Sequence, residues 1–142
     1  MTIAIILSGR DGTVHQCACD ATVRDAANLL AEKRIGALPI VRDGEVVGIF
    51  SERDLVYRLY ADGPAILDQP VENAMTAPAI TVTAQTPVMA ALSLMTRRRI
   101  RHLPVVDGVK LIGFVSIGDL VKFRIDKIES EAAALRDYIQ SV

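Results

Sequence analysis

Apolar residues follow two spacings along the chain, and each spacing predicts a different element. The first helix is expected from Thr22 to about Gly36, and its apolar residues fall at i, i+3, i+4 and i+7: Val23, Ala26, Ala27 and Leu30. Short apolar, β-branched runs at 38–41 and 46–50 predict two strands, and Asp43-Gly44 between them is typical of a tight hairpin.

A short strand is expected at 13–17, before this helix, and a second helix from Ser51 to about Tyr60, after the hairpin. Thr22 and Asp25 have the spacing of a capping box at the start of the first helix. Ahead of them, the apolar run 2–7 ends in a cluster of turn residues. The predicted unit is therefore strand, helix, strand, strand, helix.

The same unit returns 65 residues later. Between 21–57 and 86–122, 13 of 37 residue pairs are identical, whereas average composition gives roughly two or three. In the first copy the identical residues are Val23, Ala26, Leu29, Arg34, Ile35, Leu38, Pro39, Val41, Gly48, Ser51, Asp54, Leu55 and Val56. The second copy predicts strands at 80–83, 103–106 and 111–115, with helices opening at Thr86-Pro87 and at Ser116. Function is expected where the copies meet.

The fold class is α/β (α+β), with two β-α-β-β-α repeats related by a pseudo-two-fold axis and an extended C-terminal helix. The expected divisions are an N-terminal segment at 1–12, the first repeat at 13–62, a linker at 63–74, the second repeat at 75–126 and a helical extension at 127–142. A short helix at 71–75 is expected to lead into the second repeat.

The last helix carries one apolar face: Val121, Ile125, Ile128, Ala132, Leu135 and Ile139. A long amphipathic helix must bury such a stripe, either on its own domain or on a partner. Of these two we favour contact with a second copy in a homodimer.

The composition narrows the function classes. The 142 residues suffice for one compact domain, and 51% hydrophobic residues support a full core. A net charge of −1 argues against a nucleic-acid-binding or membrane-attracted surface. No apolar run approaches the ~20 residues that cross a bilayer, and the N-terminal run is short for a signal peptide. We expect a cytoplasmic protein without a membrane or nucleic-acid partner.

Each repeat places a Ser and an Asp three residues apart at a strand-to-helix junction: Ser51 with Asp54, and Ser116 with Asp119. As helix caps, these residues satisfy free amides and complement the helix dipole. The same position also suits a ligand, because a helix N-terminus offers amides to a phosphate and a carboxylate can accept ribose hydroxyls. The two interpretations are compatible.

Two further features have both a structural and a ligand-binding interpretation. The segments 35–39 and 100–104 each end in a proline that favours extended backbone before it, which suits either a helix-to-strand connection or contact with a base edge. The arginine-rich segment 97–102 offsets a helix dipole or binds phosphate, and Arg53 is another candidate phosphate contact.

Catalysis has little support in the sequence. His15 and His102 are the only histidines, and neither a nucleophile elbow nor a metal-ligand helix motif is present.

The doubled h-L-P-h-V segment (h, apolar), the Asp-Gly hairpins and the doubled G-h-h-S-x-x-D resemble a tandem pair of cystathionine β-synthase (CBS) domains, as in bacterial stand-alone CBS-pair proteins. The resemblance covers about Thr13 to Asp126, and Pro70–Thr76 resembles the entry to a second CBS repeat. It implies two clefts between the repeats for AMP, ADP or ATP, with NAD or S-adenosylmethionine as further ligands. The implied role is a non-catalytic sensor of energy or redox state that signals through a regulated protein partner or its own dimer.

The resemblance also implies which residues line each cleft. Cleft one takes Ser51 and Asp54, with Arg53 for phosphate, the base near Arg101, His102, Leu103 and Pro104, and the strand residues Thr81, Val82 and Thr83 nearby. Cleft two takes Ser116 and Asp119, with Ile35, Gly36, Ala37 and Leu38 at the base and the Cys17 strand beside it.

The copies differ in charge, because Gly118 and Gly36 stand in cleft two where cleft one has Arg53 and Arg101. We therefore expect cleft one to bind a phosphorylated nucleotide more tightly. The alternatives are an interaction module with unoccupied clefts that acts through its C-terminal helix, and an enzyme, since CBS pairs occur inside inosine-monophosphate dehydrogenase. The chain has no room for the catalytic barrel of that enzyme.

Overall fold

The computed structural model describes residues 1–141 and places both repeats in one five-stranded sheet. Its helices and strands are α1 (Ile3–Ser8), β1 (Cys17–Ala18), α2 (Val23–Lys33), β2 (Ala37–Arg42), β3 (Glu45–Ser51), α3 (Glu52–Asp62), α4 (Val88–Arg98), β4 (His102–Asp107), β5 (Lys110–Ser116) and α5 (Ile117–Gln140). Two 3₁₀ turns, Pro64–Asp68 and Val71–Asn73, occupy the linker, the second where a short helix was expected. No helix within residues 1–141 is long and apolar enough to span a membrane.

The sheet is built from two antiparallel hairpins, β2–β3 and β4–β5, in the order β1-β2-β3-β5-β4. Asp43 and Gly44 both have positive φ, as a type I′ turn requires, so the hairpin predicted from this pair is confirmed. The hairpins join through the pair Glu45 and Lys110, the first residues of β3 and β5. The two repeats thus meet beside their turns.

Each repeat has its own hydrophobic core, and the predicted helix stripes supply it. In the first repeat, α2 buries Val23, Ala26 and Leu30 against the strand residues Leu38, Ile40 and Phe50. In the second, α4 buries Val88, Ala91 and Met95 against Leu103, Val105 and Val115.

The N-terminal segment closes the core of the second repeat. Ile3 is fully buried there, and its backbone N–H donates to the carbonyl of Thr86 at 2.9 Å. The linker does the same for the first repeat, where Val71 is fully buried and its N–H donates to the carbonyl of Ala21 at 2.7 Å. Because Ala21 and Thr86 are equivalent positions, α1 and the linker are equivalent closing segments.

The first strand of each repeat is shorter than the sequence predicts. Strand β1 has two residues, paired parallel to β2, and 13–16 stay outside the sheet. The strand expected at 80–83 is one bridge, in which Val82 exchanges two backbone hydrogen bonds with β4. The amide of Thr83 donates to the hydroxyl of Thr86 instead, which turns the chain away. That contact also occupies the predicted capping hydroxyl, so α4 begins at Val88 with no side-chain cap.

We predict that Ile3→Ala lowers the free energy of unfolding by about 2–5 kcal/mol, the usual cost of truncating a fully buried isoleucine. Chemical denaturation measures this effect. Ile5→Ala on the same helix is the matched control, because Ile5 is 42% exposed and its loss should cost far less. Equal losses in the two variants would contradict the assignment of α1 to the second core.

Candidate functional site

Two clefts open between the repeats, with volumes of about 400 and 560 Å³. Both lie in the usual range of small-ligand sites, roughly 300–1,000 Å³. The smaller, cleft one, lies at the start of α3 and the larger, cleft two, at the start of α5. Gly36 and His102 line both clefts, so these two residues form the wall between them.

In cleft one, a capping box holds the carboxylate of Asp54 at the cleft surface. Its Oδ2 accepts from the backbone N–H of Ser51 at 2.9 Å and from the Ser51 hydroxyl at 3.1 Å. The amide of Asp54 in turn donates to Ser51 Oγ at 3.2 Å, which confirms the predicted cap. The second oxygen, Oδ1, accepts from the Thr76 hydroxyl at 2.9 Å. Asp54 is therefore held by neutral donors only, within residues 1–141.

Three arginines line cleft one: Arg53, Arg99 and Arg101. Arg53 is the second residue of α3, whereas Arg99 ends α4 in a left-handed conformation and Arg101 precedes β4. Arg97 and Arg98, from the same predicted cluster, instead lie in the last turn of α4, where cations offset the helix dipole. The cluster is thus divided between the end of α4 and the lining of cleft one.

In cleft two, the carboxylate of Asp119 is already paired with a cation. Its Oδ2 accepts from the backbone N–H of Ser116 at 2.8 Å and lies 2.7 Å from Arg10 Nη2. Arg10 Nη1 also donates to the carbonyl of Phe114 at 2.6 Å. Partial burial opposes ionisation of Asp119, but the hydrogen bonds from Ser116 and Arg10, with the charge of Arg10, outweigh it and lower the pKa of that carboxyl.

The number of arginines does not separate the clefts as the comparison of the repeats suggests. Gly118 and Gly36 do stand at the positions equivalent to Arg53 and Arg101, but Arg10 and Arg34 line cleft two. Arg34 ends α2 in a left-handed conformation, as its repeat equivalent Arg99 ends α4. Sequence reasoning missed Arg10 because it lies outside the repeated stretch, in the N-terminal segment, which packs on the second repeat.

His102 forms most of the wall that the two clefts share. Its ring stacks on Phe114 with centroids 5.5 Å apart and planes 9° from parallel. A Cβ at Gly36 would lie 3.6 Å from the ring, which is an ordinary van der Waals contact, so Gly36 lies directly beside the ring. Burial lowers the pKa of His102, and Arg101 adds to this effect, while Asp119 and Glu52 act in the opposite direction. The ring therefore favours the neutral form.

Several residues proposed from the sequence lie outside the lining of both clefts. Leu38, Leu103 and Pro104 are buried because they occupy inward-facing or sheet-covered strand positions, and Cys17 is packed in the first core. Thr81, Val82 and Thr83 lie along the single bridge to β4, and the preceding 76–80 supplies lining to cleft one instead. Gly12–His15 takes the place expected for the Cys17 strand in cleft two.

The remaining proposed residues do lie on cleft surfaces. Those in cleft one are Ser51, Arg53, Asp54, Arg101 and His102, and those in cleft two are Ser116, Asp119, Ile35, Gly36 and Ala37. Each cleft thus combines the capped helix start of one repeat with the pre-strand loop of the other. Thr76 contacts Asp54 but was not proposed from the sequence. The one indication was its place in the linker segment that enters the second repeat.

Comparison with known proteins agrees with this architecture. The family model for the CBS domain matches residues 14–61 and 71–126. The mitochondrial CBS domain-containing protein CBSX3 of Arabidopsis thaliana is 38% identical over 135 residues, which are 92% of this chain and 66% of that protein. This chain therefore spans just under two thirds of the length of that relative.

Two similar solved structures contain adenosine compounds. CBSX2 in complex with AMP is 29% identical, with a TM-score of 0.74 over 88% of this chain and 96% of that one. The CBS domain pair of protein MJ0100, in complex with 5′-methylthioadenosine and S-adenosyl-L-methionine, is 26% identical, with a TM-score of 0.79 over 89% and 98%. The chain belongs to the CBS-domain family and carries a tandem pair of these domains.

We predict that His102 makes stability depend on pH. Because its folded pKa lies below the unfolded value of about 6.5, the unfolded chain takes up the proton first and stability falls as pH drops below about 6.5. The fall should end once pH passes below the folded pKa. Denaturation midpoints of wild type and His102→Gln between pH 7.5 and pH 5 measure this effect, and the variant should show a flatter profile.

His15→Gln is the control for this experiment, because His15 lies at the exposed mouth of cleft two. It should retain the wild-type profile. A His102→Gln profile that matches wild type would refute the assignment.

Proposed function

We propose that this protein is a non-catalytic regulatory module that binds an adenine nucleotide, AMP, ADP or ATP, in the clefts between its two repeats. The observation that carries the proposal is the composition of cleft one. A fixed carboxylate at a helix start, Asp54, shares a 400 Å³ cleft with three arginines. A ribose with a phosphate on one side needs this pairing of an acceptor with cations.

The chemistry of cleft one assigns a role to each part. The carboxylate of Asp54 accepts hydrogen bonds from the ribose hydroxyls, and the hydroxyls of Ser51 and Thr76 hold that carboxylate in place. The phosphates lie toward Arg53 at the start of α3, where the helix dipole also favours negative charge. Arg99 and Arg101, which line the same cleft, supply two further cations. Ile49, Ile80 and Ile100 supply an apolar surface for the base. The adenosine ligands of the two similar structures support this assignment.

The two clefts are proposed to differ in affinity, with cleft one the tighter. The reason lies in the carboxylates, not in the number of arginines. In cleft two Arg10 already compensates the charge of Asp119, whereas Asp54 in cleft one forms no ion pair within residues 1–141 and is therefore the stronger acceptor for a ribose hydroxyl. The output passes through a regulated partner protein or through self-association of the module. NAD and S-adenosylmethionine are the next ligands to test, because each contains an adenosine.

Calorimetric titration of AMP and ATP into wild type, Asp54→Asn and Asp119→Asn tests this proposal. Losing a hydrogen bond to a charged group costs about 1.5–3 kcal/mol, so Asp54→Asn should weaken the tighter site about 10- to 150-fold. Asp119→Asn is the matched control at the equivalent position and should leave that site unchanged. Circular dichroism checks that both variants keep their helices.

The outcomes separate the two parts of the proposal. No binding of any adenosine compound by wild type would overturn the function and favour an interaction module with unoccupied clefts. Equal loss in the two variants would overturn only the difference between the clefts. A thermal-shift series with AMP, ATP, NAD and S-adenosylmethionine ranks the ligands, since stabilisation follows RT ln(1 + [L]/Kd).

A further inference from the structure

We propose that α5 pairs with α5 of a second copy of this chain as a parallel, two-stranded coiled coil over residues 121–139. Helix α5 has 24 residues and is therefore about 36 Å long. Its own domain covers only its start, where Leu120 is fully buried and Phe123 packs on the second core. Beyond Phe123, no described side chain of α5 joins either hydrophobic core.

The exposed stripe of α5 has the spacing of a heptad repeat. Its six residues follow one another at intervals of 4, 3, 4, 3 and 4: Val121, Ile125, Ile128, Ala132, Leu135 and Ile139. Ile125, Ala132 and Ile139 therefore take heptad position a, and the other three take position d. All except Ala132 are large side chains, and they are 41–63% exposed. A strict 3.5-residue period keeps one narrow seam facing a helical partner.

The seam points away from the domain to which α5 belongs. In this register Leu120 is at position c and Phe123 at position f, on the side of the helix opposite to a and d. These two residues are the ones that α5 contributes to the second core. The back of the helix thus lies on its own domain, and the large side chains of the seam are exposed.

The charges that flank the seam identify the partner and its direction. In a parallel pair of identical helices, a residue at g meets the e residue five positions later in the other copy. Arg124 then meets Glu129, and Glu131 meets Arg136, so all four such contacts join opposite charges. In the antiparallel register that pairs Ile128 with Ala132, Glu129 meets Glu129 and Glu131 meets Glu131. The pattern therefore favours a parallel second copy over an antiparallel one.

These four charged residues are also free to make the contacts. None forms an ion pair within residues 1–141, and only Glu131 has an opposite charge three or four positions away on α5, namely Lys127. Lys122, which has no such g partner, pairs instead with Asp126 on its own helix. Isoleucine at two of the three a positions and Leu135 at d are residue types of two-stranded parallel coils. Since Ile128 at d also suits three strands, the mass must be measured.

Sedimentation equilibrium or light scattering of the full chain tests self-association. Wild type should approach about 31 kDa, twice the 15.4 kDa chain, and dissociate on dilution because the seam is short. Ile128→Arg places a charge in the seam and should weaken association roughly 100-fold or more. Ala134→Arg, on the opposite side of α5 at position c, is the matched control and should remain a dimer.

Ile128 is 48% exposed, so its substitution should leave the fold intact, which the thermal unfolding midpoint checks. A monomeric wild type at 100 μM and above, a trimer, or a dimer that persists in Ile128→Arg would each overturn the proposal. The last result would move the interface to another surface, such as the exposed Val56, Tyr57 and Tyr60 of α3.

Charge reversal tests the direction. Arg124→Glu or Glu129→Arg alone should weaken the dimer roughly tenfold, since each turns two attractive contacts into repulsive ones. The double variant restores opposite charges and should return to within about twofold of wild type. A double variant as weak as the sum of the single ones would overturn the parallel arrangement.

Disulfide formation supplies a second readout of direction. Ala132→Cys should cross-link two chains on mild oxidation, because only the parallel register places residue 132 opposite itself. Ala134→Cys is the control, and wild type gives the background from Cys17 and Cys19. A dimer that does not cross-link through residue 132 would contradict the proposal. Self-association through α5 does not require nucleotide, so its failure leaves the proposed function untouched.

Discussion

The reciprocal hydrogen bonds between Ser51 and Asp54, and between Ser116 and Asp119, join each central strand to the helix that follows it. In both caps, one carboxylate oxygen is taken by the backbone N–H of the serine. The carboxylate therefore cannot rotate away from the cleft without uncapping the helix. A residue that caps a helix thus also keeps its carboxylate at the surface of the cleft, at no further cost in side-chain entropy.

The clefts differ because a different segment contacts the same two acceptors in each: a carbonyl of the central strand and the carboxylate of the helix cap. In cleft one, the amide of Thr76 donates to the carbonyl of Ile49, and its hydroxyl donates to Asp54. In cleft two, one side chain, Arg10, donates to the equivalent carbonyl of Phe114 and forms an ion pair with the equivalent carboxylate of Asp119. Because a guanidinium stands in place of an amide and a hydroxyl, Asp119 has an ion pair, whereas Asp54 has only neutral donors within residues 1–141. The pseudo-symmetric backbone therefore supports two chemically unequal sites.

The features predicted correctly from the sequence are the duplication and several local patterns. The capping boxes at Thr22, Ser51 and Ser116 and the turn at Asp43 each follow from residues close together in the chain. Two features that were not predicted depend on contacts between distant segments. Ile3 closes the second core, and Arg10 pairs with Asp119; both contacts join residues more than 80 positions apart. Ile3 and Arg10 themselves lie outside the repeated stretch. Thr83 and Thr86 show a third case, in which a local hydrogen bond displaced a predicted strand and a predicted cap.

We propose that cleft one binds an adenine nucleotide through Asp54. A crystal structure of the protein with AMP tests this proposal, because it locates the ribose. We expect a nucleotide in cleft one, with its ribose hydroxyls on Asp54 and its phosphate toward Arg53, Arg99 or Arg101. A nucleotide confined to cleft two, or bound in cleft one without contact to Asp54, would contradict it.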